Sequence, residues 1–309
     1  MDKEKKAIER IKIATEMSLQ HYGKPLICTY SGGKDSDVLL EIFRRSGVPF
    51  EVQHSHTTVD APQTVHHVRK KFKELEQQGI QCNVEMPMYK GKRVTMWSLI
   101  PQKKMPPTRM VRYCCQVLKE TGGANRFIAT GVRWDESNQR KTRSIYETNS
   151  SKKRDAIRLS DESILDNEKA DLLLFDELIL NNDNDNRRKM TEHCQLKGKM
   201  VLNPIIDWTN ADIWEYIQSE KIETNPLYQC GYNRVGCVGC PMASKHRWKE
   251  FEDFPMYQRA YVRAFDKMLE VLKQEDSSKI KNWKTGQDVF NWWMENEQIE
   301  GQMTLEDFI

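Results

Sequence analysis

The 309-residue sequence predicts an α/β fold, a doubly wound, mainly parallel five-stranded sheet with a helical C-terminal extension. Three observations predict it. Short apolar runs of strand length alternate with helical stretches, a glycine-rich turn joins the first such run to a helix, and the character of the chain changes near residue 241. Hydrophobic residues make up 38% of the chain, which is enough to build a core.

The elements follow one another in alternation. The first is an amphipathic helix over residues 4–22, with its isoleucines and alanines on one broad face. The later predicted elements are a strand at 25–30, a helix that follows residues 31–36 and stops before Gly47, a strand at 50–58, a helix at 62–78, and strands at 80–86, 126–131 and 200–202. Such alternation favours parallel strands with helices on both faces of the sheet.

Two features interrupt this order. An insertion rich in Asn, Asp and Ser, about 145–198, is predicted to form a lid or loop with a short helix near 167–180. The main α/β domain is predicted to span residues 1–240, and the helical extension residues 241–309. Within the extension, His246–Leu272 is predicted to be one long helix, followed by an aromatic tail.

Charge, hydropathy and cysteine content exclude several classes of protein. The formal net charge is only +3, which argues against binding polyanions over the whole surface. No stretch approaches the length of about 18 apolar residues that a membrane span needs, and the N-terminus lacks the apolar run of a signal peptide. We therefore predict a cytoplasmic protein, in which eight cysteines indicate metal or redox chemistry rather than disulfides.

The glycine-rich turn is the strongest motif. Glycines between a strand and a helix let the backbone approach a ligand, and the first amides of the helix favour an anion. The motif differs from a Walker A loop, in which Ser or Thr follows the lysine. A surface turn without a ligand is the alternative. The predicted phosphate-binding residues are Ser31, Gly32, Gly33, Lys34, Asp35 and Ser36.

This segment resembles the PP-loop of the ATP pyrophosphatases, the adenine nucleotide α-hydrolases. Other stretches narrow the resemblance to the phosphoadenylyl sulfate (PAPS) reductase family, namely Gly131–Ser137 with Arg140, Asn203–Trp214 and Asn225–Cys237. Together they cover roughly residues 24–245, without the acidic insertion. The resemblance implies the α-hydrolase fold, with ATP and Mg²⁺ as ligands.

The resemblance also implies a reaction and a set of site residues. ATP would be cleaved between its α and β phosphates, an acceptor adenylated and pyrophosphate released, with Lys34, Asp35 and Arg133 as catalytic residues. Arginines that follow the fourth strand can reach the crevice at the carboxyl ends of the strands, where open sheets bind ligands. Solvated surface arginines are the alternative. Outside the loop, the predicted nucleotide-binding residues are Asp60, Thr64, Gly131, Arg133 and Arg140.

Four of the cysteines form a pattern, an adjacent pair and a distant C-x-x-C turn. Four thiolates suit zinc or an iron–sulfur cluster, spacing alone does not separate them, and buried free thiols are a third interpretation. The resemblance favours a [4Fe-4S] cluster, because a cysteine pair followed by Lys119 is similar to the cluster site of the adenylyl sulfate (APS) reductases. The predicted ligands are Cys114, Cys115, Cys237 and Cys240, with Cys230 as an alternate.

One departure from the resemblance bears on function. The reductases of the family carry a catalytic cysteine near the C-terminus, in a Glu-Cys-Gly-x-His context, whereas no cysteine follows Cys240 here. The sequence is closest to the reductase-like branch found with nucleic-acid phosphorothioation, mobile elements, phages and CRISPR loci. Two other functions stay open: an oxidoreductase that reduces PAPS or APS to sulfite with an external thiol, and a nucleotide-binding accessory subunit of a nucleic-acid complex.

A basic segment indicates a partner. Residues 87–113 contain seven Lys or Arg and no acid, with Trp97 and Tyr113 as aromatic faces. This composition is typical of a surface that follows a nucleic-acid backbone. A solvated loop balanced by the acidic insertion is the alternative. We therefore expect an adenine nucleotide and a nucleic acid, or a protein that modifies one, as partners. A homodimer is compatible with the sequence, and no membrane partner is expected.

Overall fold

The computed structural model describes residues 2–148, 200–243, 246–275 and 283–295. Its strands are β1 (Leu26–Thr29), β2 (Phe50–Ser55), β3 (Cys82–Glu85), β4 (Met88–Tyr89), β5 (Lys92–Arg93), β6 (Phe127–Ala129), β7 (Tyr146–Thr148) and β8 (Met200–Leu202). Six of them form one sheet in the order β3-β2-β1-β6-β8-β7, in which β1 is parallel to β2 and β6, and β6 to β8. The predicted doubly wound, mainly parallel α/β class is confirmed.

The sheet has one strand more than the five that the sequence predicts. The additional strand, β7, lies at the edge and runs antiparallel to β8, with Tyr146 opposite Leu202. A strand of three residues is too short for a period-two pattern to stand out, so sequence analysis assigns it to the insertion. The helix expected near 167–180 lies outside the described residues.

The helices largely follow their sequence signals. They are α1 (Asp2–Tyr22), α2 (Lys34–Ser46), α3 (Pro62–Gln77), α4 (Met96–Lys103), α5 (Tyr113–Leu118), α6 (Asn210–Ser219), α7 (His246–Asp253), α8 (Pro255–Gln274) and α9 (Gly286–Glu295). Gly47 ends α2 in the left-handed region, and the Thr209 side chain caps α6 by accepting the N–H of Asp212. Within the described ranges, no helix is long and apolar enough to cross a membrane.

The prediction of one helix over His246–Leu272 is wrong, because the chain forms α7 and α8 there. The break falls at Phe254, whose φ of −127° and ψ of 63° are not helical. Pro255 follows it, and the proline ring disfavours a helical conformation in the preceding residue while fitting the first turn of the next helix. A proline in this position therefore ends one helix and begins another.

The chain forms two compact units, each with its own core. The first unit holds the centre of the sheet, where Ile27, Ile128 and Val201 pack together. The second unit has a largely helical core in which Trp293, from the aromatic tail, is 1% exposed. The predicted boundary at residue 240 stays a prediction. The first unit comprises the described parts of 1–54, 71–83 and 123–224, and the second those of 55–70, 84–122 and 225–309.

Candidate functional site

Two loops of the first unit lie at the same edge of the sheet. Residues 31–36 follow β1 and Gly131 follows β6, and the two strands are parallel neighbours. The chain leaves β1 toward β2 on one side and places β6 on the other, so the strand order reverses here. Open α/β sheets bind ligands at such a point. A Cβ atom on Gly131 would lie 3.1 Å from the carbonyl oxygen of Asp35, a tight contact that glycine avoids.

The turn before α2 is closed by the Ser36 side chain. Its hydroxyl accepts the N–H of Gly33 at 3.1 Å and donates to the carbonyl of Gly33 at 2.7 Å, while the Ser31 hydroxyl donates to it at 3.3 Å. Gly32 has a φ of 76°, which glycine adopts without steric cost. The first amides of a helix have no intrahelical acceptor, so this turn presents donors to an anion.

An ion-pair network joins the two loops. The two carboxylate oxygens of Asp35 face different cations, with the Lys34 Nζ at 3.0 Å and the Arg133 Nε donating at 2.7 Å. Arg133 is only 2% exposed, and its guanidinium also donates to the carbonyl of Trp208 and lies 3.6 Å from Asp135. Asp35 thus holds both predicted catalytic cations in fixed positions.

Three other predicted nucleotide residues have partners of their own. Arg140 is ion-paired with Glu136 in the first unit. Thr64 is buried in the second unit, where its hydroxyl accepts a hydrogen bond from an asparagine side chain. Asp60 also belongs to the second unit, and its carboxylate lies 4.0 Å from the Cys237 sulfur. Sequence reasoning placed Asp60 beside the nucleotide, and that role stays a prediction.

The four predicted metal ligands all belong to the second unit. Cys114 and Cys115 lie in the first turn of α5, and the C-x-x-C turn is closed by a hydrogen bond from the N–H of Cys240 to the carbonyl of Cys237. The Cys114 thiol interacts electrostatically with the other three sulfurs. All four are free thiols, as is Cys230, which is exposed. The structure thus brings the cysteine pair and the C-x-x-C turn together.

The spacing of these sulfurs bears on the metal that they fit. Among the described residues, no three of the four sulfurs lie within 4.8 Å of one another. Four thiolates around a single zinc ion, with Zn–S bonds of about 2.3 Å, would place every sulfur about 3.8 Å from the others. The four sulfurs are therefore spaced more widely here than in a tetrahedral zinc site.

The thiols of this centre are shifted in opposite directions, and the hydrogen bond to Cys115, followed by burial, raises the pKa of Cys114. The pKa of Cys115 is lowered, first because Cys114 donates a hydrogen bond to its sulfur, and further by the charges of Lys119 and Arg112. Burial raises the pKa of Cys237 to about 11, against the opposing charge of Lys119. The pKa of Lys119 is raised, first by the negative charge that Cys237 carries once it is deprotonated, so the lysine stays cationic. A lysine here offsets negative charge that metal-bound thiolates would carry.

Side chains of helices α7 and α8 pack against the C-x-x-C turn. Gly239 has a φ of 74°, and a Cβ atom there would lie 2.6 Å from the Phe251 ring and 2.9 Å from the Tyr261 ring. Its N–H donates to the Glu250 carboxylate at 2.7 Å, and the Tyr261 hydroxyl donates to the carbonyl of Val238 at 3.0 Å. Sequence reasoning missed Glu250 and Tyr261, for which the glycine in the turn was the single local signal.

The basic segment folds into the β4–β5 hairpin, α4 and the start of α5. Lys90 and Gly91, at the hairpin tip, both have positive φ, as a type I′ turn requires. The Lys103 Nζ lies 4.3 Å from the centre of the Tyr89 ring and 5.8 Å from that of Tyr113, which places the three elements beside one another. We define the basic surface by Lys90, Lys92, Arg93, Lys103, Arg109 and Arg112, all exposed except the half-buried Lys103.

Comparison with known proteins gives consistent matches. A family model described as the phosphoadenosine phosphosulfate reductase domain matches residues 25–243. An uncharacterized protein of Methanocaldococcus jannaschii is 23% identical over 274 residues, which are 88% of this chain and 53% of that protein, so the chain spans about half of its length. An adenosine 5′-phosphosulfate reductase of Burkholderia cepacia is 38% identical over 52 residues, or 17% of this chain and 21% of that one. A crystal structure of phosphoadenylyl-sulfate reductase from Candida auris has a TM-score of 0.44 at 15% identity, covering 75% of this chain and 87% of that one.

Proposed function

Because this chain belongs to the phosphoadenosine phosphosulfate reductase domain family, we propose that it binds an adenine nucleotide in the loop of residues 31–36. We propose ATP with Mg²⁺ as the nucleotide, cleaved between the α and β phosphates to adenylate an acceptor and release pyrophosphate. The observation that carries this proposal is the Asp35 carboxylate, which holds Lys34 and Arg133 beside the first amides of α2.

The chemistry follows from these groups. The acceptor attacks the α phosphorus, and the bond from that phosphorus to the bridging oxygen breaks, so negative charge develops on the departing pyrophosphate. Preorganised cations and amides stabilise such charge without reorganising during the reaction. Lys34 supplies a point charge, and Arg133 a planar set of donors suited to phosphate oxygens. Asp35 orients both cations and is also a candidate oxygen ligand for Mg²⁺.

Two other functions are separated from this one by their products. The protein is purified anaerobically and incubated in turn with ATP, PAPS and APS, while pyrophosphate and sulfite are assayed together. Pyrophosphate from ATP supports the proposal. Sulfite from PAPS or APS with an added thiol would instead favour an oxidoreductase. Stable nucleotide binding without either product would favour an accessory subunit.

We further propose that the four cysteines of the second unit hold a [4Fe-4S] cluster, with zinc as the alternative. The donor set fits, because four thiolates are the usual ligands of such clusters and the sulfurs are spaced more widely than zinc requires. Lys119 supports it by offsetting the charge of the thiolates. When bound, the cluster would supply electrons or sulfur to the acceptor, or would serve to hold the turn in place.

Anaerobic purification tests this assignment directly. We expect a brown protein with a broad absorption in the visible blue, carrying iron and acid-labile sulfide in equal amounts. Changing Cys237 to serine should remove the colour, because a hydroxyl is a poor ligand for iron–sulfur clusters. The matched control is Cys28→Ser, at a buried cysteine outside the four. A colourless wild-type preparation rich in zinc would refute the cluster.

The acceptor or partner that we propose is a nucleic acid, recognised by the basic surface. Five of its six positive side chains are exposed, Lys103 is half-buried, and residues 87–113 contain no acid to neutralise them locally. Most of such binding energy comes from phosphate contacts and counterion release. The ring of Tyr89, half-buried beside Lys103, adds an aromatic edge to this surface. Charge of one sign with an adjacent ring favours a single strand.

Charge reversal on the hairpin tests this partner. The variant Lys90→Glu/Lys92→Glu/Arg93→Glu is expected to weaken binding of a single-stranded oligonucleotide by at least about tenfold. It should also lower the salt dependence of log K by about 2, the value for three lost phosphate contacts. Fluorescence anisotropy at several salt concentrations measures both, with RNA, DNA and duplex probes. The control, Lys5→Glu/Lys6→Glu/Lys12→Glu, reverses three exposed charges on α1. An equal loss in both variants would contradict a specific basic surface.

A further inference from the structure

A buried carboxylate lies directly behind the C-x-x-C turn. Glu250, on α7, is 8% exposed, and its Oε2 accepts the N–H of Gly239 at 2.7 Å. Gly239 stands between two predicted ligands, next to Cys240 in the chain. The bond therefore fixes the backbone from which the Cys240 side chain projects, although Glu250 lies ten residues after Cys240 in the chain.

The turn is tightly packed on the side where a Cβ atom of Gly239 would point. The nearest atoms there belong to the rings of Phe251, Tyr261 and Trp293, whereas the Gly239 N–H is buried against the Glu250 carboxylate. A buried N–H left without a partner carries a desolvation penalty. The neighbouring peptide is held as well, since Val238 donates to the carbonyl of Val59 at 2.8 Å and accepts from Tyr261. Glu250 thus completes the set of bonds that defines the turn.

The carboxylate also has an unfavourable environment of its own. Burial raises the pKa of Glu250 to about 7, although the Gly239 N–H and the charges of Arg247 and Arg234 act in the opposite direction. Burying an ionisable group costs stability unless its partners offset the cost. The hydrogen bond from Gly239 is the largest of the interactions that offset this cost, ahead of the two arginine charges.

We propose that Glu250 is a positioning residue of the metal centre, which acts by accepting the N–H of Gly239 and so holding the C-x-x-C turn in its ligating conformation. This inference rests on the proposed metal centre. Residues of this kind orient the ligands rather than touch the metal, and their loss commonly lowers metal affinity 10- to 100-fold.

The test compares rates of metal loss to a chelator, followed by absorbance and metal analysis of the anaerobically purified chain. We expect Glu250→Ala to lose metal about 10- to 100-fold faster than wild type. Glu250→Gln should stay close to wild type, because its amide oxygen still accepts the N–H without the charge. Glu250→Asp keeps the charge, but its shorter side chain holds the carboxylate farther from the Gly239 N–H. This variant should therefore also lose metal faster than wild type. Glu252→Ala, on the exposed side of α7, is the matched control.

The possible results distinguish a failure of the positioning role from a failure of the proposed metal centre. A wild-type chain that holds no metal overturns the proposed metal centre. Wild type that holds metal, with Glu250→Ala and Glu250→Asp no faster in losing it, overturns the positioning role. Melting temperatures of each variant with and without metal identify a merely structural effect, which would lower the two temperatures equally. Loss of a positioning residue lowers the melting temperature of the metal-bound protein more, so the difference between the two temperatures becomes smaller. Should Glu250→Ala fail to fold, the Asp and Gln variants still decide the question.

Discussion

Replacing Lys34 with alanine is expected to lower pyrophosphate release from ATP by about 10²- to 10³-fold, the usual cost of removing one preorganised group that stabilises transition-state charge. The effect is large because the Lys34 Nζ is held 3.0 Å from Asp35, at the start of α2. The loss should fall mainly on kcat, because charge on the pyrophosphate grows as the bond breaks. Steady-state pyrophosphate assays at several ATP concentrations measure it.

The matched control is Lys24→Ala, which removes an exposed lysine shortly before β1. It should leave both the melting temperature and pyrophosphate release unchanged. Full ATP cleavage by Lys34→Ala would contradict the assignment of residues 31–36 as the phosphate-binding loop. If Lys34→Ala keeps the wild-type melting temperature but no longer releases pyrophosphate, the loss of activity comes from the site and not from a change in the fold.

The second large effect is expected from Gly239→Ala. The added Cβ atom would lie 2.6 Å from Phe251 and 2.9 Å from Tyr261, whose rings are buried and cannot withdraw. Overpacking of this kind costs about 1–3 kcal/mol, and the left-handed backbone adds about 1–2 kcal/mol for a non-glycine residue. We therefore expect a loss of about 2–5 kcal/mol in the free energy of unfolding, measured by chemical denaturation, together with loss of the metal.

The same turn provides the control. Gly236 lies on the other side of Cys237, and a Cβ atom there would meet nothing within 4 Å. Gly236→Ala should therefore leave stability and metal content close to those of wild type. If Gly239→Ala likewise left stability and metal content unchanged, α7 and α8 could not pack tightly against the turn.

The conformation of residues 31–36, the proposed phosphate-binding loop, could be predicted from sequence because everything that forms it is local. A strand, two glycines and a helix follow one another within residues 26–46, so short-range preferences decide the conformation. Gly131 and Arg133 could be placed nearby for a more general reason, since neighbouring parallel strands end at the same edge of a sheet. The bonds of Arg133 to Asp35 and Trp208 needed the structure.

The second unit shows why other features could not be predicted. Glu250 is one of several charged residues in α7, and no pattern in that helix indicates that it accepts the N–H of Gly239. Asp60 follows a strand, and its nucleotide role stays a prediction. The sequence does not indicate that its carboxylate lies 4.0 Å from the Cys237 sulfur, because that contact joins segments 177 residues apart, which neither periodicity nor capping encodes.

The interleaved course of the chain has a consequence for biosynthesis. The second unit is assembled from separate stretches, and its two cysteine groups are about 120 residues apart in the sequence. A ribosome therefore completes Cys114 and Cys115 well before Cys237 and Cys240 emerge. Until then, Cys114 and Cys115 are free thiols in a core that is not yet complete. Metal insertion is thus expected late, and once bound the metal would cross-link distant segments of the finished chain.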